Sequence, residues 1–279
     1  MPLVTLTSDI GVQDFMPAAI KGQIMHIDSA FHPLDITHLL TPFNFPQAAY
    51  VIKNAITHFP EGTFHLILIN LFDQKDEQLL IAFHKGQYFG CADNGLLTMI
   101  LGCEPEAVVA IVQDNKTGKN TLSYTQTIIQ AFSKINKGAS LFDIGNANIE
   151  IKIQNSLRPL LGKDYIEGQI LFIDNYENVV INITREQFEE ERNGRRFSIV
   201  FKRDESIEKI SESYADVPDG EKVAIFNSAG YLEIAVNKGN AAGLFGLTSY
   251  SEKKQNLILA QFKNNDIFFQ TVKVFFNND

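Results

Sequence analysis

The chain has 279 residues, 45% of them apolar and 20% charged, a composition that builds a folded core and excludes disordered, collagen-like and low-complexity architectures. Its 33 acidic residues outnumber 24 basic ones, and neither half offers the basic field that a phosphate backbone demands, so nucleic acid is not expected as a partner. No apolar run reaches the ~18 residues of a membrane span. The two cysteines lack CxxC spacing and the opening MPLVTLTSDIG lacks the regions of a signal peptide, so the expected compartment is the cytoplasm.

In chain order, residues 3–6 read as a short strand ending at Thr7-Ser8-Asp9. A loop follows, then a helix with Asp14 as N-cap and Pro17 in its first turn, where a missing N–H costs nothing. Residues 32–36 predict a strand, and 46–58 a helix carrying Ala48, Ala49, Val51, Ile52, Ala55 and Ile56 at helical spacing. Apolar strands are predicted over 64–69, 79–83 and 107–112, and a helix over 125–135. Nearly continuous apolar strands alternating with helices indicate a mainly parallel sheet covered on both faces, with ligands at the carboxyl ends of its strands. Asp9 and Asn70 both lie just past such ends.

The texture changes near residue 160. Short strands are predicted over 168–173, 179–183, 197–201, 223–227, 231–236 and 268–276, with turns at Asn193-Gly194, Pro218-Asp219-Gly220 and Ser228-Ala229-Gly230. The fold class is therefore α/β: an N-terminal mainly parallel sheet domain over residues 1–158, a connector at about 159–165, and a small antiparallel β-barrel over 166–279.

Three constellations could carry chemistry. Asp9 and Asp14 flank a tight loop at a strand's carboxyl end; they could accept hydrogen bonds from ribose hydroxyls or an ammonium group, or serve as a loop acid and a helix cap. The run Asp174-Asn175-Tyr176-Glu177-Asn178 lies between two strands; Asn178 could pair with a purine edge, or the run could be a hairpin turn. Asn227 and Ser228 sit at another turn, either holding a carboxylate or purine or simply closing a hairpin. All six histidines fall within the first 84 residues without metal-ligand spacing, so no metal is expected. The stretch from Lys116 to Thr121 mimics part of a P-loop without its GxxxxGK[ST] spacing, and Glu189-Glu190-Glu191-Arg192 reads as a solvated helix end.

Five segments in order resemble the S-adenosyl-L-methionine (SAM) hydroxide adenosyltransferase family, the SAM hydrolases related to the fluorinating and chlorinating enzymes: TLTSDIGVQDFMPAAIKGQI, LDITHLLTPFNFPQAAYVIKNAITHFPEGTFHL, ADNGLL with Ala92 in place of a proline, EGQILFIDNYENVVINI, and NSAGYLEIAVNKGNAA. The resemblance implies a homotrimer binding a small nucleoside ligand between the N-terminal domain of one subunit and the C-terminal domain of its neighbour. It implies that Asp9 and Asp14 meet the ribose and the methionine amine, that Asp174 serves the methionine end, that Asn178 reads adenine, and that Asn227 and Ser228 lie near the adenine or the carboxylate. The implied reaction is in-line attack of water on the 5′ carbon of SAM, giving adenosine and methionine with no cofactor.

The chain departs from the family pattern where that water would be activated. Asn70 stands at the head of the segment where the family carries Asp, Ser123 stands in place of a His, and no arginine occurs between residues 1 and 157. Losing a general base typically costs about 10²–10⁴-fold in rate. Two readings follow: a hydrolase with an altered water-activating apparatus, in which Asp73, Asp76 or Glu77 substitutes as base, or a pseudoenzyme that binds SAM or adenosine without cleaving it. The halogenating branch also lacks the Asp and His, since a halide needs no deprotonation, but its segments are not recognisable here.

Overall fold

The computed structural model describes residues 2–73, 78–113, 118–202, 205–247 and 271–277. Asp76, Glu77, Lys116, Thr117 and the first three residues of the predicted strand 268–276 lie outside the described residues. The chain divides into two compact units, residues 1–156 and 157–279.

The first unit runs β1 (Leu3–Ser8), α1 (Met16–Ile27), β2 (His32–Thr37), α2 (Phe45–Ile56), β3 (Phe64–Leu68), β4 (Leu79–His84), β5 (Gln87–Ala92), α3 (Leu96–Leu101), β6 (Ala107–Ile111) and α4 (Thr121–Asn136). Its sheet has the order β2-β1-β3-β5-β4-β6. Neighbours pair in parallel from β2 to β5, and β4 runs antiparallel to both β5 and β6. The mainly parallel sheet is as the apolar runs predicted; the single reversal comes from a hairpin joining β4 to β5. Lys85 and Gly86 both take positive φ at its turn (46° and 74°), the two-residue geometry that matches strand twist.

Both faces of this sheet are buried, which is why its strands are apolar without alternation. Along β3, Phe64, Leu66 and Leu68 pack with Ile20 and Ile24 of α1 and Ile128 and Phe132 of α4. The next position over, Ile67, packs on the other face with Ala48, Ala49 and Ile52 of α2 and Leu96, Leu97 and Ile100 of α3. Each such side chain contributes roughly 1.5–3 kcal/mol by leaving water. Gly90 lets α4 approach closely: a Cβ there would lie 2.3 Å from Ile128 Cγ2. His65 faces the second layer with its Nδ1 2.7 Å from Thr5 Oγ1, and burial drives its pKa down to about 4, so it stays neutral.

Asp14 does not cap α1. The N-cap is Phe15, and Asp14 sits one residue earlier, its Oδ1 accepting from Met16 N at 2.9 Å. The Pro at position 17 holds the first turn as expected. Helices α2 and α4 carry side-chain caps, Asn44 accepting from Gln47 N and Asn120 accepting from Ser123 N.

The second unit contains β7 (Leu160–Leu161), β8 (Tyr165–Ile173), β9 (Val179–Thr184), α5 (Arg185–Arg192), β10 (Arg196–Lys202), β11 (Glu205–Ile207), β12 (Lys222–Phe226), β13 (Tyr231–Val236) and β14 (Thr271–Asn277). The antiparallel order is β11-β10-β14-β8-β9-β13-β12. Just beyond β11, Ile210 bridges to Ala224 of β12, and Ser211 N donates to Ala224 O at 2.8 Å, so the sheet curls into a nearly closed barrel. Inward side chains such as Ile166, Ile181, Ile199, Leu232, Ile234 and Val274 fill it. Phe188 of α5 packs edge-on against Phe197, Phe226 and Phe276. The acidic run ends that helix, with Asn193 closing it at φ 45°.

Candidate functional site

Most of the predicted site residues fall into two clusters, one in each unit, with Asp14 and Ser123 outside both. In the first unit, β1 and β3 are parallel neighbours, so their carboxyl ends emerge side by side. That register brings Asp9 and Asn70 together, and Asp9 Oδ2 accepts from Asn70 N at 3.0 Å. Burial raises the Asp9 carboxyl above its ordinary value, while the Asn70 N–H works against that shift. Asn70 Nδ2 in turn donates to Asp73 Oδ1 at 3.2 Å. From below, Asn94 Nδ2 donates to Ile69 O at 3.0 Å while its Oδ1 accepts from Leu96 N, so the ADNGLL segment buttresses the β3 exit. Gly11 N donates to His38 O at 2.7 Å, pinning the loop after β1 to the end of β2, and Ser8 Oγ lies 2.7 Å from His38 Nδ1.

These residues wall a cavity of about 480 Å³, to which Asp9, Phe43, Asn70, Phe72, Asp73 and Thr121 contribute. Its volume suits a small-molecule ligand. Phe43, Asn70 and Phe72 all hold left-handed backbone, with φ of 63°, 45° and 72°. A Phe in that region carries strain of order 1–3 kcal/mol, and such strain gathers where a site holds its shape against local preference. Behind Phe72, the fully buried Tyr124 ring lies 4.8 Å away.

Asp14 is exposed, and its Oδ1 accepts from Met16 N. Ser123 is consumed by structure: its Oγ lies 2.7 Å from Gly118 O, 2.8 Å from Asn120 O and 3.0 Å from both Asn120 N and Gln113 Nε2, in the capping box of α4.

The second cluster joins the β8–β9 turn to Glu233 of β13, while the turn after Asn227 lies by Thr184 and Arg185, at the other end of β9. Asp174 closes the β8–β9 turn, its Oδ1 accepting from Tyr176 N and Asn178 N, both at 2.8 Å, and its Oδ2 accepting from Asn178 Nδ2 at 3.0 Å. Asn178 is 4% exposed and Glu233, from β13, is 3% exposed. Tyr214 Oη donates to Glu233 Oε1 at 2.6 Å, and the side chains of Asn178 and Asn227 also hydrogen-bond Glu233. Burial pushes the Glu233 carboxyl up, these bonds hold it down, and the nearby Asp174 charge pushes it up again. Burial, and then Glu233, raise the Tyr214 hydroxyl far above its ordinary value.

Asn227 Oδ1 accepts from Ala229 N at 3.0 Å and Tyr231 N at 3.2 Å, so this amide shapes the turn, while Ser228 stands exposed at its tip. Ala242 N donates to Glu177 O at 2.8 Å, drawing the GNAA end of the last segment onto the Asp174 turn.

Tyr214 and Glu233 received no role from the sequence. Glu233 left a trace there, as a lone acid between Leu232 and Ile234 in an apolar strand. Tyr214 left none, because only the closed barrel brings it beside a residue 19 positions away.

Among the described residues, no group of three or more His, Cys, Asp and Glu side chains is placed to hold a metal, and no helix is long and apolar enough to cross a membrane. A two-unit α/β plus β-barrel protein with carboxylates and amides at strand ends is the class that fold and site define. The SAM hydroxide adenosyltransferase N-terminal domain matches residues 4–145 and the corresponding C-terminal domain residues 168–253, so the chain belongs to that family. It is 24% identical over 266 residues to a Methanocaldococcus jannaschii protein named (R)-S-adenosyl-L-methionine hydrolase, covering 90% of this chain and 95% of the relative. A Thermus thermophilus protein of the same name is 25% identical over 258 residues, covering 88% and 95%. The crystal structure of an uncharacterized conserved protein from Thermotoga maritima shares the fold, with a TM-score of 0.79 at 21% identity over 98% of this chain and 99% of that one.

Proposed function

We propose that the protein binds SAM and hydrolyses it to adenosine and methionine, with the Asn70–Asp73 pair orienting the attacking water and Asp73 accepting its proton. The observation that carries this reading is the hydrogen bond between those two side chains on the wall of the cavity that also holds Asp9. The sulfonium leaves neutral, so no general acid is required. What the reaction needs is a water aimed at the 5′ carbon and a group to take its proton. An amide can aim a water and a neighbouring carboxylate can deprotonate it.

In this reading Asp9 and Asp14 meet the ribose and the methionine amine, Asp174 serves the methionine end, and Asn178 meets adenine. Asn227 and Ser228 shape the turn beside it. The assembly is a homotrimer with sites shared between neighbouring subunits, as the family resemblance implies, and cysteine usage points to the cytoplasm.

A second reading, binding without turnover, is favoured by two observations. Ser123 at the lost His position spends its hydroxyl on the α4 cap, and no arginine precedes residue 158. Incubation with SAM followed by chromatography separates the two. Asp73→Asn is expected to cut adenosine release by about 10²-fold or more while SAM binding persists. Binding with no adenosine from the unsubstituted protein establishes the second reading.

A further inference from the structure

The opposite end of the first unit holds a second constellation that SAM chemistry does not use. Cys103 follows α3, His84 ends β4, and Glu106 precedes β6, so three strand and helix ends converge. Cys103 is exposed, and its Sγ lies 3.9 Å from His84 Nε2. On the far side of the ring, His84 Nδ1 lies 3.7 Å from Glu106 Oε1. That carboxylate oxygen is itself fixed by Lys85 N at 3.1 Å. His84 is only 9% exposed, and its Nδ1 is buried without a hydrogen-bond partner.

The sequence order is His, Cys, Glu, but the spatial order is thiol, imidazole, carboxylate. That is the arrangement of nucleophile, base and orienting group that activates a thiol. His84 also lines a cavity of about 340 Å³, whose apolar wall comes from Ile56, Phe59, Phe89, Ile100 and Leu101. Lys53, Lys85 and Glu61 stand around it, so its charges are mixed and its specificity rests on the apolar wall.

The geometry points to Cys103 as a covalent modification site for soft carbon electrophiles, α,β-unsaturated carbonyl compounds with an apolar body that enters this cavity. His84 Nε2 takes the thiol proton, with Glu106 positioning the ring and facing its Nδ1–H. The sulfur lone pair attacks the β carbon, the S–C bond forms, and the C=C π pair shifts towards the carbonyl. The resulting enolate takes the proton back from the imidazolium at its α carbon. The sum is addition of S–H across C=C, with no oxidant or further reactant. In the resting protein the Leu101 carbonyl, 3.8 Å from Sγ, is a second acceptor for the thiol hydrogen and the step breaks that contact.

The test uses the full chain at pH 7 with N-ethylmaleimide and N-phenylmaleimide, glutathione as the reference thiol, and peptide mass spectrometry to locate the adduct. With His84 Nε2 placed to take the thiol proton as the bond forms, Cys103 is expected to react roughly ten-fold faster than glutathione or more. The adduct is expected on Cys103, since Cys91 is buried. N-phenylmaleimide is expected to gain over N-ethylmaleimide by several-fold more on Cys103 than on glutathione, because its ring enters the cavity. His84→Gln is expected to return the rate to that of glutathione, and Glu106→Gln to lower it by a smaller factor. If His84→Gln fails to fold, the rate of the unsubstituted protein against glutathione and the Glu106→Gln variant still decide. Reaction of Cys103 at the rate of glutathione, or a rate unchanged in His84→Gln, overturns the assignment of the thiol. The absence of a phenyl preference overturns the role of the cavity.

Discussion

The two clusters of the candidate site are built on different physical plans. The Asp9 cluster is open: its polar side chains line a cavity, Asn70 and Asp73 have each other as partners, and three residues with left-handed backbone frame it. The Asp174 cluster is closed: Asp174, Asn178, Tyr214, Asn227 and Glu233 bond one another around the buried Asn178 and Glu233. A fully satisfied buried network is rigid and costly to disturb, whereas exposed polar groups around a cavity are free to engage a ligand and a water. In the proposed function, chemistry falls to the first cluster and fixed recognition to the second.

The largest expected effect sharpens the chemical half. Asn70→Asp supplies the carboxylate that the family resemblance implies at this position, and adenosine release from SAM is expected to rise by up to about 10²-fold, read by chromatography. Folding stability is expected to fall by about 1 kcal/mol, because the new carboxylate replaces the amide that donates to Asp73 and stands beside Asp9. A stability loss of several kcal/mol would erase the contrast between the clusters.

In the closed cluster the balance reverses. Glu233→Ala takes a partner from the buried Asn178 and from Tyr214 and Asn227 and is expected to cost about 2 kcal/mol in chemical denaturation. Tyr214→Phe removes one bond to that carboxylate and is expected to cost about 1 kcal/mol. If both substitutions were silent, the network would not be the rigid element described.

The smallest effect is a pH dependence. Glu233 binds a proton more readily folded than unfolded, because burial raises its pKa above 4.5. Its contribution to stability is then fully present below 4.5 and declines as pH rises through the folded value. Asp9 behaves in the same sense above 3.8. Glu233→Gln lacks this term, so its deficit relative to the unsubstituted protein is expected to be greatest near pH 4.5 and to shrink towards pH 8, measured by denaturation at a series of pH values. A deficit that grows with pH would show that the carboxylate is held ionised.

Much of this architecture was legible because its causes are local. Buried parallel strands announce themselves as apolar runs, and the helix over α2 shows its period directly. The β4 reversal and strand β5 were not legible: Gln87–Ala92 is short, interrupted by Gly90, and defined by a two-residue turn and by α4 packing over the glycine. At the site, Asp9 and Asn70 could be placed because both follow strands, but their direct contact depends on β1 and β3 being neighbours across 61 residues. The capping role of Ser123 was hidden for a similar reason: its partners Gln113 and Gly118 come from the connection ahead of α4, whose start was placed four residues too late. The Glu233–Tyr214 pair required the barrel to close.

The central claim is that these carboxylates and amides grip a nucleoside. Calorimetric titration with SAM and with adenosine, run on the unsubstituted protein and on Asp9→Ala, tests it most directly. The account predicts saturable binding at one site per subunit, weakened by roughly 10–100-fold when the Asp9 charge is removed. Absence of saturable binding for either compound, or equal affinity in Asp9→Ala, would contradict it.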